Sequence, residues 1–148
     1  MLFRSPGEVK ADDEEQAATD TPQADFAEVL ARVKTVLGDR VTEVRESKLL
    51  TDSPARLVSP HAGFDRDMQR VRRLIEEDFK VPPKILELNR RHPLVRNLAA
   101  KMAGEPASPL VDAAIELLFE NLLLLDGLHP NPAQMAPRIQ MMLEAATK

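Results

Sequence analysis

Residues 108–127 have the sequence SPLVDAAIELLFENLLLLDG, and this stretch decides the fold. Ser108 is a favoured helix N-cap, Pro109 suits the first helical position, and Gly127 is a favoured stop beyond the last turn, so one helix is predicted between them. Its polar side chains form one narrow stripe: Asp112, Glu116, Glu120 and Asn121. A helix that is apolar around most of its circumference must be covered on more than one side. We expect its own domain to supply one cover and a second copy of the chain to supply the other.

The sequence NPAQMAPRIQMMLEAATK, residues 131–148, predicts the final helix, with Asn131 as its N-cap and Pro132 at its first position. Pro137 lies inside this segment, where its missing N–H should kink the helix or delay its start. Two such apolar helices from each of two chains would form a four-helix bundle. The predicted dimer-interface residues are Ile115, Leu118, Phe119, Leu122, Leu125, Met135, Ile139, Met142 and Leu143.

The upstream part of the chain predicts a helix followed by two short strands. In DFAEVLARVKTVLGD, apolar residues recur at helical spacing, Asp25 and Glu28 form a capping-box pattern, and Gly38 ends the helix. The aliphatic segments at residues 41–50 and 54–60 flank the turn-forming sequence TDSP, which predicts a β-hairpin.

A third strand and a short helix are predicted between the hairpin and the terminal helices. ILELN, residues 85–89, follows two prolines and has the apolar pattern of a strand. In HPLVRNLAAKM, Pro93 suits the first turn of a helix. The predicted class is therefore α+β, with a small three-stranded sheet packed with helices and two terminal helices that form the dimer interface.

A densely charged amphipathic helix is predicted at residues 64–79, FDRDMQRVRRLIEEDF. Phe64, Met68, Val71 and Ile75 form an apolar stripe along it. Two interpretations stay open. The stripe docks onto the chain's own sheet, as such stripes usually do, or it is exposed and binds other proteins, for which the adaptable Met side chain is suited.

Composition excludes several classes of function. The 148-residue chain is long enough for one domain and contains no Cys, which excludes disulfides, thiolate zinc sites and Cys nucleophiles. Its net charge of −4 argues against a nucleic-acid partner. No apolar run approaches the length of a membrane span. The sequence has no phosphate-binding loop and no metal-ligand spacing, so no cofactor is expected in this chain. One basic cluster is interleaved with acids and lacks aromatics, which favours a solvated helix face: Arg66, Arg70, Arg72 and Arg73.

Ser53 and His61 are the nearest approach to a catalytic pair, and a hydrolase built on them is the weakest hypothesis. A nucleophilic Ser needs a base within hydrogen-bond reach and an oriented acid behind that base. The sequence marks neither, whereas Asp and Ser before Pro are standard turn formers. We therefore interpret this segment as a turn.

The chain divides at residue 23. Residues 7–25 carry seven acids against one Lys and almost no large apolar residue, so residues 1–23 are predicted to be a disordered acidic linker and residues 24–148 the domain. The sequence LFRS, residues 2–5, is what a common sequencing-adaptor end would translate to. One hypothesis is that residues 1–5 are an artefact and the chain is a piece of a longer gene, and the alternative is an ordinary short N-terminus.

The motifs GDRV, LTDSPA, ILELN and HPLV occur in this order over about residues 24–147. In order and spacing the chain resembles the C-terminal dimerization domain of the heat-shock protein 90 chaperone family, most closely its bacterial members. The resemblance implies a small sheet, a helical dimer interface, and a charged helix that faces the dimer cleft and helps to hold client proteins. Phe64, Met68 and Val71 match apolar family positions in that helix and are the candidate client-binding residues, whereas Arg72 replaces a large apolar residue of the bacterial pattern.

The resemblance also implies what this chain does not do alone. The family's ATPase lies in a separate N-terminal domain, so ATP and Mg²⁺ would bind there and this chain would not be an enzyme. The expected function is that of the C-terminal fragment of an ATP-dependent, cytoplasmic bacterial chaperone of the stress response, with a second copy and unfolded clients as partners. The alternative is a free-standing homodimeric scaffold or adaptor without an ATPase.

Overall fold

A three-stranded mixed sheet and the helices around it organise the chain. The computed structural model describes residues 21–49, 52–59, 65–75 and 81–148. Short 3₁₀ turns at Gly38–Arg40 and Pro132–Met135 precede the first strand and the last helix. The elements within these ranges are α1 (Gln23–Leu37), β1 (Val41–Glu46), β2 (Ala55–Val58), α2 (Asp65–Ile75), β3 (Lys84–Leu88), α3 (Pro93–Gly104), α4 (Pro109–Leu125) and α5 (Ala136–Ala146). The α+β class and the three strands are as the sequence predicts.

The strand order is β1-β3-β2, so the predicted hairpin is wrong. β1 pairs with β3 in parallel, and β2 pairs with β3 antiparallel. Two physical reasons account for the difference. The connection at residues 47–54 is longer than the short loops that favour hairpins, and β3 is the most buried of the strands and therefore takes the central position.

The hydrophobic core lies between the sheet, α1, α3 and α4. Helix α1 contributes one side chain per turn, at the spacing that the sequence predicts, and α4 contributes the largest helical share. Core side chains from these elements include Phe26, Val29, Val33, Leu37, Leu57, Leu86, Leu88, Val95, Leu98, Val111, Ile115 and Phe119. The sheet and α1 therefore cover one side of α4, as we expected of its own domain.

Helix α1 begins earlier than predicted. Its N-cap is Pro22, and Asp25 lies in the first turn without a capping hydrogen bond, so the predicted capping box does not form. Thr21 donates through its backbone N–H and its hydroxyl to the carbonyl of Arg90, at 3.2 and 3.0 Å. This anchor fixes the chain ahead of Pro22, whose φ of −55° already suits helix entry.

The cap of α4 is as the sequence predicts, and α3 has a side-chain cap for which no prediction was made. The Ser108 hydroxyl accepts from the Leu110 N–H at 3.3 Å, and His92 Nδ1 accepts from the Leu94 N–H at 3.0 Å. Beyond α4, Gly127 adopts a φ of +72°, where the backbone N–H of Leu128 donates to the carbonyl of Leu123 at 2.8 Å. This pattern is a Schellman motif, and it turns the chain toward α5.

Pro137 delays the start of α5 and lies in its first turn, where no backbone donor is required. The preceding Pro132–Met135 segment forms a 3₁₀ turn, and the side chain of Asn131 makes no capping bond, so the predicted Asn131 cap is wrong. The last helix is therefore shorter than the sequence suggests.

One carboxylate ties all three strands together. On β3, Glu87 accepts from Arg45 Nε of β1 at 2.8 Å and from Arg56 Nε of β2 at 2.6 Å. Burial alone would raise the pKa of Glu87, but the hydrogen bonds from Arg56 and Arg45 outweigh it and lower the pKa below its usual value. Ionised Glu87 thus stabilises the strand order described above.

Glu87→Gln should weaken the acid dependence of stability. Because the folded-state pKa of Glu87 is depressed, its contribution is present above the unfolded value of about 4.3 and is lost as the pH falls through the folded pKa. We expect the variant to lose about 1–2 kcal/mol of unfolding free energy at pH 7. Urea unfolding between pH 7 and pH 3 measures both effects.

Glu43→Gln is the matched control, because Glu43 is exposed on β1 and lies 3.6 Å from Arg45. It should leave both the stability and its pH dependence nearly unchanged. Identical acid titrations for Glu87→Gln and the unsubstituted chain would contradict the role of this carboxylate.

Candidate functional site

Helix α2 presents its polar side to the body of the domain. Gln69 is buried, and its Oε1 accepts from Lys84 Nζ at 2.5 Å. Lys84, at the start of β3, is only 1% exposed and also donates to the Ser59 hydroxyl at 2.9 Å. Polar oxygens thus surround a buried ammonium group, and this contact joins α2 to the sheet.

Two arginines of α2 attach the helix to the loop between α4 and α5, which we call the α4–α5 loop (residues 126–135). Arg70 Nε donates to the backbone carbonyl of Asp126 at 2.6 Å, and Arg73 Nε donates to that of His129 at 2.8 Å. The carbonyls that follow a helix lack intrahelical donors and carry the negative end of its dipole, so guanidinium groups are well placed there.

The apolar stripe of α2 faces outward as a consequence. Met68 is 57% exposed and Val71 49% exposed, and both Leu74 and Ile75 are also exposed. The interpretation in which this stripe docks onto the chain's own sheet is therefore wrong for these residues. Met68, Val71 and Ile75 are exposed, as the alternative expects, but their binding of clients stays a prediction. Phe64 lies outside the described residues, and its client role also stays a prediction.

The predicted dimer-interface residues divide into two groups. Five are covered by the chain itself: Ile115, Leu118, Phe119, Leu122 and Met135. Leu125, Ile139 and Leu143 are exposed, and Met142 is half-buried. The accessible part of the predicted interface therefore lies at the end of α4 and along α5.

A polar cluster that the sequence analysis did not find fixes the base of α5. Glu120, buried on α4, accepts from Arg138 of α5 and lies 3.1 Å from Nε2 of the buried His129. His129 Nδ1 accepts from the backbone N–H of Asn131 at 3.1 Å, which leaves Nε2 to carry the proton toward Glu120. Only the polarity of Glu120 in an apolar helix could have signalled this cluster.

A second ion pair lies one turn earlier on the same side of α4. Both terminal nitrogens of Arg40 donate to Glu116, each at 2.7 Å, and the guanidinium lies 5.6 Å from the centre of the Phe119 ring. The pKa of Arg40 is raised, mainly because Glu116 accepts these hydrogen bonds. The contact fixes the turn after α1 against α4.

Within the part of the chain that the structure describes, no second catalytic group lies beside Ser53. Ser53 lies in the turn before β2, and its backbone carbonyl accepts from Asn89 Nδ2 at 3.1 Å, as expected of a turn residue. His61 lies outside the described residues. Within the described ranges, no cluster of metal-ligating side chains occurs, and no helix there has the length and apolar character needed to cross a membrane.

Comparisons with known proteins give one consistent family. The family model described as Hsp90 protein matches residues 4–148. The chain is 37% identical over 140 residues to the chaperone protein HtpG of Oleidesulfovibrio alaskensis, which covers 95% of this chain and 22% of that protein. It is 41% identical over 123 residues to the HtpG of Chlorobaculum tepidum, a match that covers 81% of this chain and 20% of that protein. It is also 41% identical over 115 residues to the HtpG of Mycolicibacterium paratuberculosis, and this match covers 78% of this chain and 18% of that protein.

The chain thus spans about a fifth of the length of these relatives. The match extends over nearly all of its own residues and includes every element described above. This chain belongs to the Hsp90 family of chaperone proteins.

Proposed function

We propose that this chain is the C-terminal dimerization part of an ATP-dependent chaperone. It holds two copies together through α4 and α5, and it offers the outward face of α2 to unfolded client proteins. Family membership and the partial coverage of the HtpG relatives support a fragment of such a chaperone. The observation that supports the dimer role is that no residue of α5 is buried.

Helix α5 has eleven residues, and none of them is buried. Isolated helices shorter than about 12–15 residues are marginal in water, so the stability of a short helix must come from packing. Yet Ile139 and Leu143 lie exposed one turn apart, and Met141 and Met142 are only half-buried. A second copy that packs on α5 by two-fold symmetry would complete the cover and form the four-helix bundle.

The client role follows from the outward stripe of α2. Soluble domains rarely leave several large apolar side chains exposed on one helix unless the surface binds something. Met68, Val71 and Ile75 are held outward because the opposite face of α2 is tied down by polar contacts. Unfolded proteins, which expose apolar side chains, are the partner class that this surface fits.

In this proposal the chemistry of ATP lies elsewhere in the parent protein. ATP and Mg²⁺ bind the N-terminal domain, the dimer brings two such domains together, and the protein acts in the bacterial cytoplasm. A homodimeric scaffold without an ATPase is the alternative, and an open reading frame upstream that encodes a middle domain would exclude it.

Leu125→Lys should dissociate the dimer. Leu125 is 72% exposed in the last turn of α4, where a Lys is favourable for the helix dipole, so the helix itself should persist. In a two-fold interface the buried charge occurs twice, and each copy should cost about 2–4 kcal/mol. Light scattering over a dilution series should show a dissociation constant raised at least about 10³-fold.

Leu49→Lys is the control, because Leu49 is 73% exposed but lies between β1 and β2. It should leave the dimer intact. Leu118 is unsuitable for this test, since it is 8% exposed and a charge there would disrupt the chain's own core. A monomer at all concentrations of the unsubstituted chain would refute the dimer role.

Met68→Asp should weaken client holding without affecting the dimer. The substitution places a carboxylate in the first turn of α2, which the helix tolerates, but removes an apolar contact and adds charge to the stripe. Suppression of the aggregation of a heat-denatured model protein should fall several-fold at equal chain concentration.

Leu94→Asp is a control of the same kind, because Leu94 is exposed in the first turn of α3. It should suppress aggregation as well as the unsubstituted chain. Equal loss in both variants would show that the α2 stripe has no special role, and a dimer that holds no client at all would favour the scaffold alternative.

A further inference from the structure

A groove of about 340 Å³ lies between α2 and the α4–α5 loop. Leu74, Leu124 and Pro132 line it with apolar surface, and Arg70 and Arg73 form its cationic wall. Its volume is at the lower end of the range for ligand pockets. Leu74 also belongs to the exposed side of α2, so the groove is continuous with the proposed client surface.

The cationic wall is held in place by the same bonds that anchor α2. Each guanidinium uses Nε to bind a backbone carbonyl of the α4–α5 loop, which fixes the orientation of its planar fork. For Arg73, the structure gives the two Nη groups no partner among the described residues. A fixed guanidinium beside apolar side chains is a good binding site for a carboxylate, because its N–H groups can donate to the carboxylate without a change of side-chain conformation.

The part of α2 that lines the groove is positively charged, although acids flank it at residues 65, 67 and 76–78 and Asp126 lies in the facing loop. Between Met68 and Ile75 the helix carries three arginines and no acidic residue. Arg72 is one of them and is exposed. Its position adds positive charge beside the outward stripe.

We propose that the groove between α2 and the α4–α5 loop binds extended client segments in which apolar side chains are flanked by carboxylates. The inference rests on the proposed client role and adds the chemistry of the preferred segment. The apolar side chain occupies the space between Leu74 and Leu124, and the adjacent carboxylate binds the guanidinium of Arg73. Basic clients are disfavoured at this site.

The test uses the full chain and three fluorescein-labelled peptides with the same Leu-Phe centre, flanked by Glu, Ser or Lys residues. Fluorescence anisotropy gives the dissociation constant of each. At about 50 mM salt the Glu peptide should bind about tenfold more tightly than the Lys peptide, and this ratio should fall toward about twofold at about 300 mM.

The Arg73→Gln variant tests the contribution of the cationic wall apart from that of the apolar side chains of the groove. Gln keeps an N–H donor at the position of Arg73 Nε but carries no charge, so the variant should bind the Glu and Ser peptides with nearly equal dissociation constants. Arg32→Gln, the same charge change on α1, should leave all three constants unchanged. Leu124→Ser should weaken all three peptides by about fivefold.

Equal binding of the Glu and Lys peptides would overturn the proposal while the client surface itself stands. If no peptide binds although the chain suppresses aggregation, the groove is not the site, and the proposal fails alone. If the chain neither binds a peptide nor suppresses aggregation, both the groove proposal and the proposed client role fail.

Two other occupants of the groove are also tested. A change in the dimer dissociation constant on Arg73→Gln would assign the groove to a second copy. Tighter peptide binding after neutralisation of the acids at residues 12–15 would assign it to the chain's own N-terminal segment. Either result would overturn the assignment to clients.

Discussion

A helix that is apolar around most of its circumference cannot be covered by one small sheet, and α4 imposes this constraint on the whole chain. The sheet, α1 and α3 bury Val111, Ile115 and Phe119 and so satisfy one side. The α4–α5 loop and the first residues of α5 cover a second sector, with Met135 and the Glu120 cluster. What remains is the exposed end of α4 together with α5, and this is the surface on which we propose that a second copy packs.

The elements of the fold could be predicted from local signals, but their pairing could not. Ser108, Pro109 and Gly127 bound α4 through chemistry that acts within a few residues, so the sequence locates both ends correctly. The strand order depends instead on competition among segments distant in sequence. β3 is the central strand because its residues are the most buried and because Glu87 can accept from arginines on both neighbouring strands. The turn-forming residues near 47–54 carry no information about either cause.

The orientation of α2 could not be predicted for a related reason. Periodicity shows that Met68, Val71 and Ile75 share a face, but it does not show whether that face lies inward or outward. The answer came from the opposite face, where Gln69 binds a buried Lys84 and two arginines bind loop carbonyls. Likewise, five of the nine predicted interface residues are buried by the chain itself, four of them on α4. An apolar residue on that helix has the same pattern whether a sheet or a second copy covers it.

The polar attachment of α2 has a consequence for how this surface can evolve. Because the outward side chains of α2 contribute little to the core, substitutions among them should change folding stability by only a few tenths of a kcal/mol, within the usual range of about ±0.5 kcal/mol for surface positions. The outward face can therefore accept substitutions without a compensating change in the scaffold. The residues proposed to bind clients and the residues that attach α2 to the domain lie on opposite sides of one helix and can change separately.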